Sequence, residues 1–560
     1  MATLTSLALF AAGCTTSADK TSAARARSAA VHNQINPVAY ADLKSGGTLN
    51  YPLTAPITNF NTYELTGDNI NGNTASLMNT MMPSLFNIDS ANKFTFNPNY
   101  LTGEPKVATA PAQSMTYEIN PKAKWSDGTP ISYRDFVAQW QALNASNPNF
   151  SIKFLSGYGE IASVVRGATD QEVVVTLRTG VVDPDWRSMF SPLYPLSLNS
   201  TPAAFNTSWQ AKPLLSGGPF MFGGADPAAK TYTVVRNPGW WGRAPKLASI
   251  VFRVQVSPTA TTAALQNHQI DLQNIGQDAA TLNSVKAVSG ISVRRAGSPT
   301  VRDITINGSR PQLADVRVRQ ALAMGIDRDA IAKTELQPLG ITTTAPDDHI
   351  FLADQSGYQD NAGAIGKYDP TAAGKLLDTA GWVDDPAKHV RMKAGKPLEI
   401  SFVIPAAVPL SLSEAQLVAS QLAQIDVKVD IKQVNGAQLL SSYVEPGNYD
   451  FTVFSWIGGN FPISGASTIY EPEQPGSDWQ QNYSRVSVPQ IDTLFKQAES
   501  SLDQAAANAA ANQADALIWQ NVLSLPLYQR PDIWAVNSNV ANFGAFGFAS
   551  IDWTAVGFRA

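Results

Sequence analysis

Segments with helical spacing alternate with segments of period two along most of this chain, and that alternation limits the fold more than any other feature. Ser413 stands three residues before Gln416, the spacing of a capping box, so a helix is expected to start there and run to about Ile425. Val427, Val429 and Ile431 then alternate with Lys428, Asp430 and Lys432, the pattern of a half-buried strand. Asp369-Pro370 joins an N-cap to a proline at the first helical position. Leu376, Leu377 and Ala380 give that helix an apolar face, and Gly381 ends it. Asp315 caps a helix carrying Val316, Leu322 and Ile326, and Asp327 caps the next. The repeated switch of period points to α/β organisation. A chain of 560 residues is too long for one core, so two or three compact units are expected.

Composition excludes several functions. The net charge is −5 and no basic cluster stands out, so a nucleic-acid partner is not expected. Cys14 is the single cysteine, which rules out an intramolecular disulfide framework. The four histidines, His32, His268, His349 and His389, lie far apart and have no metal-ligand spacing. Neither a G-x-S-x-G elbow nor an H-E-x-x-H motif is present. No catalytic residue, metal or cofactor is expected, and the chain does not read as an enzyme.

The N-terminus points outward. Leu4 to Ala12 is apolar, Gly13-Cys14 follows, and the chain then turns polar. The apolar run is too short to span a membrane. No Lys or Arg precedes it, unlike the basic start of most export signals. An apolar run ending in small residues and Cys resembles a bacterial lipobox, in which the cysteine is lipidated and holds a soluble body at a bilayer. Cys14 is the expected lipidation site. Residues 15–45 are rich in Ala, Ser and Thr and read as a flexible tether. The body begins near Gly46-Gly47-Thr48, with Leu49-Asn50-Tyr51-Pro52-Leu53 as its first strand.

Five segments, in order, resemble those of the extracytoplasmic solute-binding proteins of peptide and nickel importers. They are Trp125-Ser126-Asp127-Gly128-Thr129-Pro130 with Asp135, then Gly217-Gly218-Pro219-Phe220, then Arg236-Asn237-Pro238-Gly239-Trp240-Trp241-Gly242. Asp315-Val316-Arg317-Val318-Arg319-Gln320-Ala321-Leu322 and Tyr368-Asp369-Pro370 through Gly381-Trp382 complete the set. Most of these residues serve turns and packing, Arg317 and Arg319 being read as helix-surface or interdomain partners. Within the family the chain looks most like the actinobacterial oligopeptide-binding lipoproteins, an impression to which His349-Ile350-Phe351 contributes.

The resemblance implies an α/β, two-lobed periplasmic-binding-protein-like fold of the large three-domain form, with a ligand cleft between lobes that close by a hinge. Residues 46–85, 205–308 and 526–560 would form the first lobe, residues 86–204 a smaller domain inserted in it, and residues 309–525 the second lobe. The crossings would lie near Ile304-Thr305-Ile306-Asn307 and Leu525-Pro526-Leu527. The implied function is capture of oligopeptides for an ABC permease and its ATPase subunits, by a monomer held outside the cell membrane through a lipid anchor. Relatives often carry an Asp after a W-x-G motif, which pairs with the peptide's α-ammonium. Here the sequence is Trp456-Ile457-Gly458-Gly459-Asn460, with Gly459 in that place. Glu64, Asp68 and Asp347 are candidates to replace the acid. The alternative is an envelope lipoprotein that binds a non-peptide metabolite or steers cell-wall glycolipid assembly. Expected ligand contacts are Phe60, Asn61, His349, Trp456, Gly458, Gly459, Asn460 and Phe461, with His349 suited to a ligand carboxylate.

Overall fold

The capped segments fold into helices largely as their sequences dictate. In the computed structural model, which describes residues 33–67, 72–153, 157–255, 257–472 and 479–560, the Asp369 carboxylate accepts from the Ala372 N–H at 2.9 Å. The helix Pro370–Thr379 follows it, and Gly381 sits at φ 87°, where a side chain would be strained. Asp315 caps Val316–Met324, and Asp327 caps Arg328–Leu336. One start differs from expectation. The helix expected from Ser413 is Pro409–Leu422, with Val408 at its N-cap. Ser413 lies inside it and donates to Glu335 at 2.5 Å. Pro409, with φ already set, starts the helix earlier than a Ser413–Gln416 box would. Arg319 also differs: its guanidinium is buried and donates to the carbonyls of Leu313, Ala314 and Asn521 within one lobe.

Cys14, Asp68 and most of the expected tether lie outside the described residues. The first lobe holds a four-stranded sheet of Thr48–Leu53, Phe220–Asp226, Thr231–Arg236 and Ser249–Val254. A second four-stranded sheet, antiparallel, is built between Lys106 and Leu177. One core spans both, joining Leu49, Tyr117, Trp125, Phe220 and Phe252. The short strands Leu43–Lys44 and Gly557–Arg559 pair, so the beginning and end of the body meet in this lobe.

The second lobe is built on a six-stranded mixed sheet, to which residues 272–306 and 524–537, mostly expected in the first lobe, contribute three strands. Its strands are β1 (Leu272–Asn274), β2 (Ile291–Ile306), β3 (Glu399–Pro405), β4 (Lys428–Val434), β5 (Phe451–Ile457) and β6 (Ser524–Asn537), in the order β1-β6-β2-β5-β3-β4. Its core joins Ile304, Leu322, Phe402, Val453 and Tyr528. The exposed–intermediate alternation of β4 is that of the half-buried strand read from its period of two. The molecule is thus two-lobed and α/β. β2 and β6 pair antiparallel from Ile291 opposite Asn537 to Thr305 opposite Ser524. Their register shifts between Gly297 and Val301, several residues before the crossing segment expected at residues 304–307. A shift in the ladder bends the pair at that point.

Candidate functional site

Alternation along β2 sends Val301 and Asp303 to one face of the sheet and Arg302 to the other. The register sets Trp456 opposite Val301, and Phe454 and Pro526 on either side of Asp303. Over this face lie residues 349–355 and the helix Pro462–Tyr470. Together they enclose a cavity of ≈ 120 Å³, lined among others by Asp303, His349, Phe351, Trp456, Phe461 and Tyr470. Phe548, from the C-terminal segment of the first lobe, closes one side.

The cavity continues into a second space of ≈ 390 Å³, with which it shares Phe351, Gln355, Phe461 and Pro462. Residues 89–94 and 184–187 of the first lobe form the far wall. The lobes touch at this mouth. Asn92 Nδ2 donates to the Asn460 carbonyl at 2.8 Å, and the Phe94 and Phe461 rings lie 5.2 Å apart. The Asp185 carboxyl, hydrogen-bonded to Ser464, is pushed upward in pKa by burial in the same contact.

Five of the expected contact residues come together on the inner cavity: His349, Trp456, Gly458, Gly459 and Phe461. Asn460 lines the outer space. Gly458 has a local reason to be glycine, since a Cβ there would lie 2.3 Å from the Pro299 carbonyl oxygen. Gly459 has open space around it.

Phe60 and Asn61 do not reach the cleft. Phe60 is buried and packs edge-on against Phe222 and Tyr232. Asn61 is buried too; its amide donates to the Phe205 carbonyl at 2.9 Å and accepts from the Tyr63 N–H at 3.1 Å. The polar loop that suggested exposure is folded onto neighbouring backbone. His349 is on the cavity, but both ring nitrogens are engaged: Nδ1 lies 2.7 Å from Asp515 and Nε2 3.3 Å from the Ser524 carbonyl. A ligand carboxylate would have to displace one of these partners.

The acids expected to replace the missing carboxylate at Gly459 are also placed elsewhere. Glu64 accepts from Asn59 and from the backbone and hydroxyl of Thr66. Asp347 lies 2.8 Å from Arg328. Neither lines the two spaces, and Asp68 is outside the described residues.

Asp303 is the functional candidate the sequence did not reveal. Its side chain is 2% exposed, and it forms no ion pair among the described residues. It accepts from the hydroxyls of Ser524 and Thr305, the latter at 3.3 Å, and the Tyr470 hydroxyl lies 3.0 Å from Ser524 Oγ. Burial pushes its pKa up to about 6, opposed by the nearby His349. Another residue of the cavity wall carries an unpaired polar group. Trp456 Nε1 is buried without an acceptor among the described residues, while its ring stacks on Tyr483 at 5.8 Å and 15°. The one sequence signal for Asp303 was its place after Arg302, at the edge of the segment Ile304-Thr305-Ile306.

No group of three metal-ligating side chains occurs among the described residues, and no helix among them is long and apolar enough to cross a membrane. Comparison with known proteins places the chain. Residues 97–476 match the family described as bacterial extracellular solute-binding proteins, family 5 Middle. The oligopeptide-binding protein OppA of Mycobacterium tuberculosis is 39% identical over 533 residues, covering 94% of this chain and 86% of that one. The probable monoacyl phosphatidylinositol tetramannoside-binding protein LpqW of the same species is 24% identical over 419 residues, covering 69% and 65%. Among solved structures, the periplasmic EDTA-binding protein EppA superposes with a TM-score of 0.79 at 23% identity, covering 94% of this chain and 98% of that one.

Proposed function

The chain belongs to the bacterial extracellular solute-binding proteins of family 5, and from that premise we propose that it captures oligopeptides between its lobes and delivers them to an ABC permease without chemical turnover. The observation that carries this is the cleft. Aromatic walls surround the Asp303 carboxyl and a few other polar groups, the mixture of apolar surface and few polar groups typical of a ligand site. The inner cavity of ≈ 120 Å³ is large enough for one end of a ligand. The outer space of ≈ 390 Å³ accommodates the continuing chain. The naming of the mycobacterial relative as an oligopeptide-binding protein supports the same ligand class.

Cys14 is proposed as the lipid anchor of a monomer held on the outer side of the cell membrane. Intact mass after detergent extraction tests this, with added acyl chains on a chain starting at Cys14 as the expected result. Native mass spectrometry of the protein as purified tests the receptor function, together with thermal shift against a pool of tri- to pentapeptides. A retained peptide mass, or stabilisation of about 2.7 kcal/mol at a hundredfold excess over Kd, is expected. No stabilisation of a well-folded protein by any member overturns it. The similarity to LpqW makes a lipid-linked saccharide the second reading, and a retained glycolipid mass would favour it.

A further inference from the structure

We propose that residues 33–38 are a positioning element of the ligand site, a strap that seats Phe548 on the wall of the inner cavity. The inference rests on the peptide reading above and adds to it a segment that lines neither space of the cleft.

Phe548 lines the inner cavity, yet no regular structure holds it there. After the strand Val540–Ala541 the chain runs without helix or strand until Gly557. Such a stretch keeps a side chain in place only through bonds to other segments. Here the strap supplies a run of them. The Ala545 N–H donates to the Gln34 carbonyl at 3.2 Å, and the Asn542 N–H to the Asn36 carbonyl at 3.0 Å. The Asn542 side chain accepts from the Val38 N–H at 2.8 Å and donates to the Val38 carbonyl at 2.9 Å. Asn36 Nδ2 donates to the Val540 carbonyl at 3.0 Å. At Gly544 the approach is so close that a Cβ would lie 2.2 Å from the Gln34 carbonyl oxygen.

The strap is itself fixed to β2. The Gln34 N–H donates to the Arg295 carbonyl at 3.2 Å, and the Arg295 N–H to Gln34 Oε1 at 3.0 Å, two residues before the ladder shifts at Gly297. Arg294 is buried at the same junction and donates to the carbonyls of Ile35, Val540 and Phe543. One guanidinium thus joins β2, the strap and the C-terminal segment. The Phe546 N–H adds a bond to the Asp532 carboxylate on β6. Segments far apart in sequence are clamped where the β2–β6 pair bends, and Phe548 leaves the clamp directly onto the cavity. With the strap seated, the ring is in place before a ligand arrives. A loosened strap would leave that loop to be ordered on binding, which lowers affinity.

The test is a double-mutant cycle on the full chain, read by calorimetric titration with a pool of tri- to pentapeptides. Wild type, Gln34→Ala/Asn36→Gly, Phe548→Ala and the combination of all three changes are compared. Glycine at position 36 suits the positive φ of 54° found there. The strap variant and Phe548→Ala are each expected to bind about tenfold more weakly than wild type, a loss in the range for truncating a buried aromatic contact. The combination is expected to bind no more weakly than Phe548→Ala alone, because the strap acts through that ring. Wild-type affinity in the strap variant, or multiplied losses in the combination, overturns the positioning role and leaves the peptide function standing. Failure of the wild type to bind any peptide overturns both. Hydrogen exchange on the wild type decides the matter if a variant misfolds. The amides of Val38, Asn542 and Ala545 lie off the cleft, yet are expected to exchange at least about threefold more slowly with peptide bound. Unchanged exchange at all three overturns the proposal.

Discussion

Two consecutive residues of β2 show opposite treatments of buried charge. On one face, Arg302 is held by both oxygens of Glu414, by Ser411 at 2.7 Å, and indirectly by Tyr528, whose hydroxyl donates to Glu414. Arg302 and Glu414 close their charges on each other there. On the other face, Asp303 has hydroxyl hydrogen bonds and no ion pair among the described residues, with His349 acting on it from nearby. Position along the strand is the same and burial is the same, so the difference lies in what each face is for. The Arg302 face is finished when the chain folds. The Asp303 face lines the cavity, and Trp456 on the same wall carries an N–H buried without an acceptor among the described residues.

Breaking the completed face should have the largest effect. Glu414→Ala leaves Arg302 buried and unpaired, and it is expected to cost about 3–5 kcal/mol in chemical unfolding followed by circular dichroism. A loss under about 1 kcal/mol would mean that this pair is not what holds the face. The open face should respond in the reverse way. Asp303→Asn is expected to melt no lower than wild type at neutral pH, because it removes a buried charge that has no ion pair. A clear fall in its melting temperature would make Asp303 a structural residue.

Acid sharpens the contrast. Burial pushes the Asp303 carboxyl up to about 6. The folded-state pKa lies above the unfolded one, so the folded state binds more protons between about pH 4 and 6, and this group's contribution to stability rises as pH falls through that window. Asp183 and Asp532, both pushed up to about 6 by burial, act in the same direction. His349, Asp348, Asp515, Tyr470 and Arg302 surround Asp303 and add their own charges or protons, so the contribution is read as the difference between wild type and Asp303→Asn. The smallest change is Trp456→Phe. It keeps an aromatic ring over Tyr483, removes the N–H, and is expected to weaken peptide binding about fivefold, the worth of one hydrogen bond.

Much of the scaffold was legible before any coordinates, because its signals are local. The Asp369 cap, the proline after it and Gly381 fix a helix within a dozen residues, and β4 announces itself by its own alternation. Where two local signals competed, at Pro409 and Ser413, the proline won. The site was legible only in part. Trp456, Gly458, Gly459 and Phe461 lie on one short stretch and arrive at the cavity together. Asp303 arrives through a register between strands far apart in sequence. Its period of two says that it opposes Arg302, but not which face meets the cleft. Phe60 and Asn61 failed for the same reason, since their partners Phe222, Tyr232 and Phe205 come from distant segments.

The ladder between β2 and β6 also governs when this protein is able to fold. β2 is made more than two hundred residues before its neighbour on one side, residues 524–537. The strand Leu43–Lys44 waits longer still, for Gly557–Arg559. Pairings of such long sequence separation form slowly and close late. The sheet of the second lobe is thus closed by a strand from the far end of its sequence, and the docking of β6 is expected to be among its slowest folding steps.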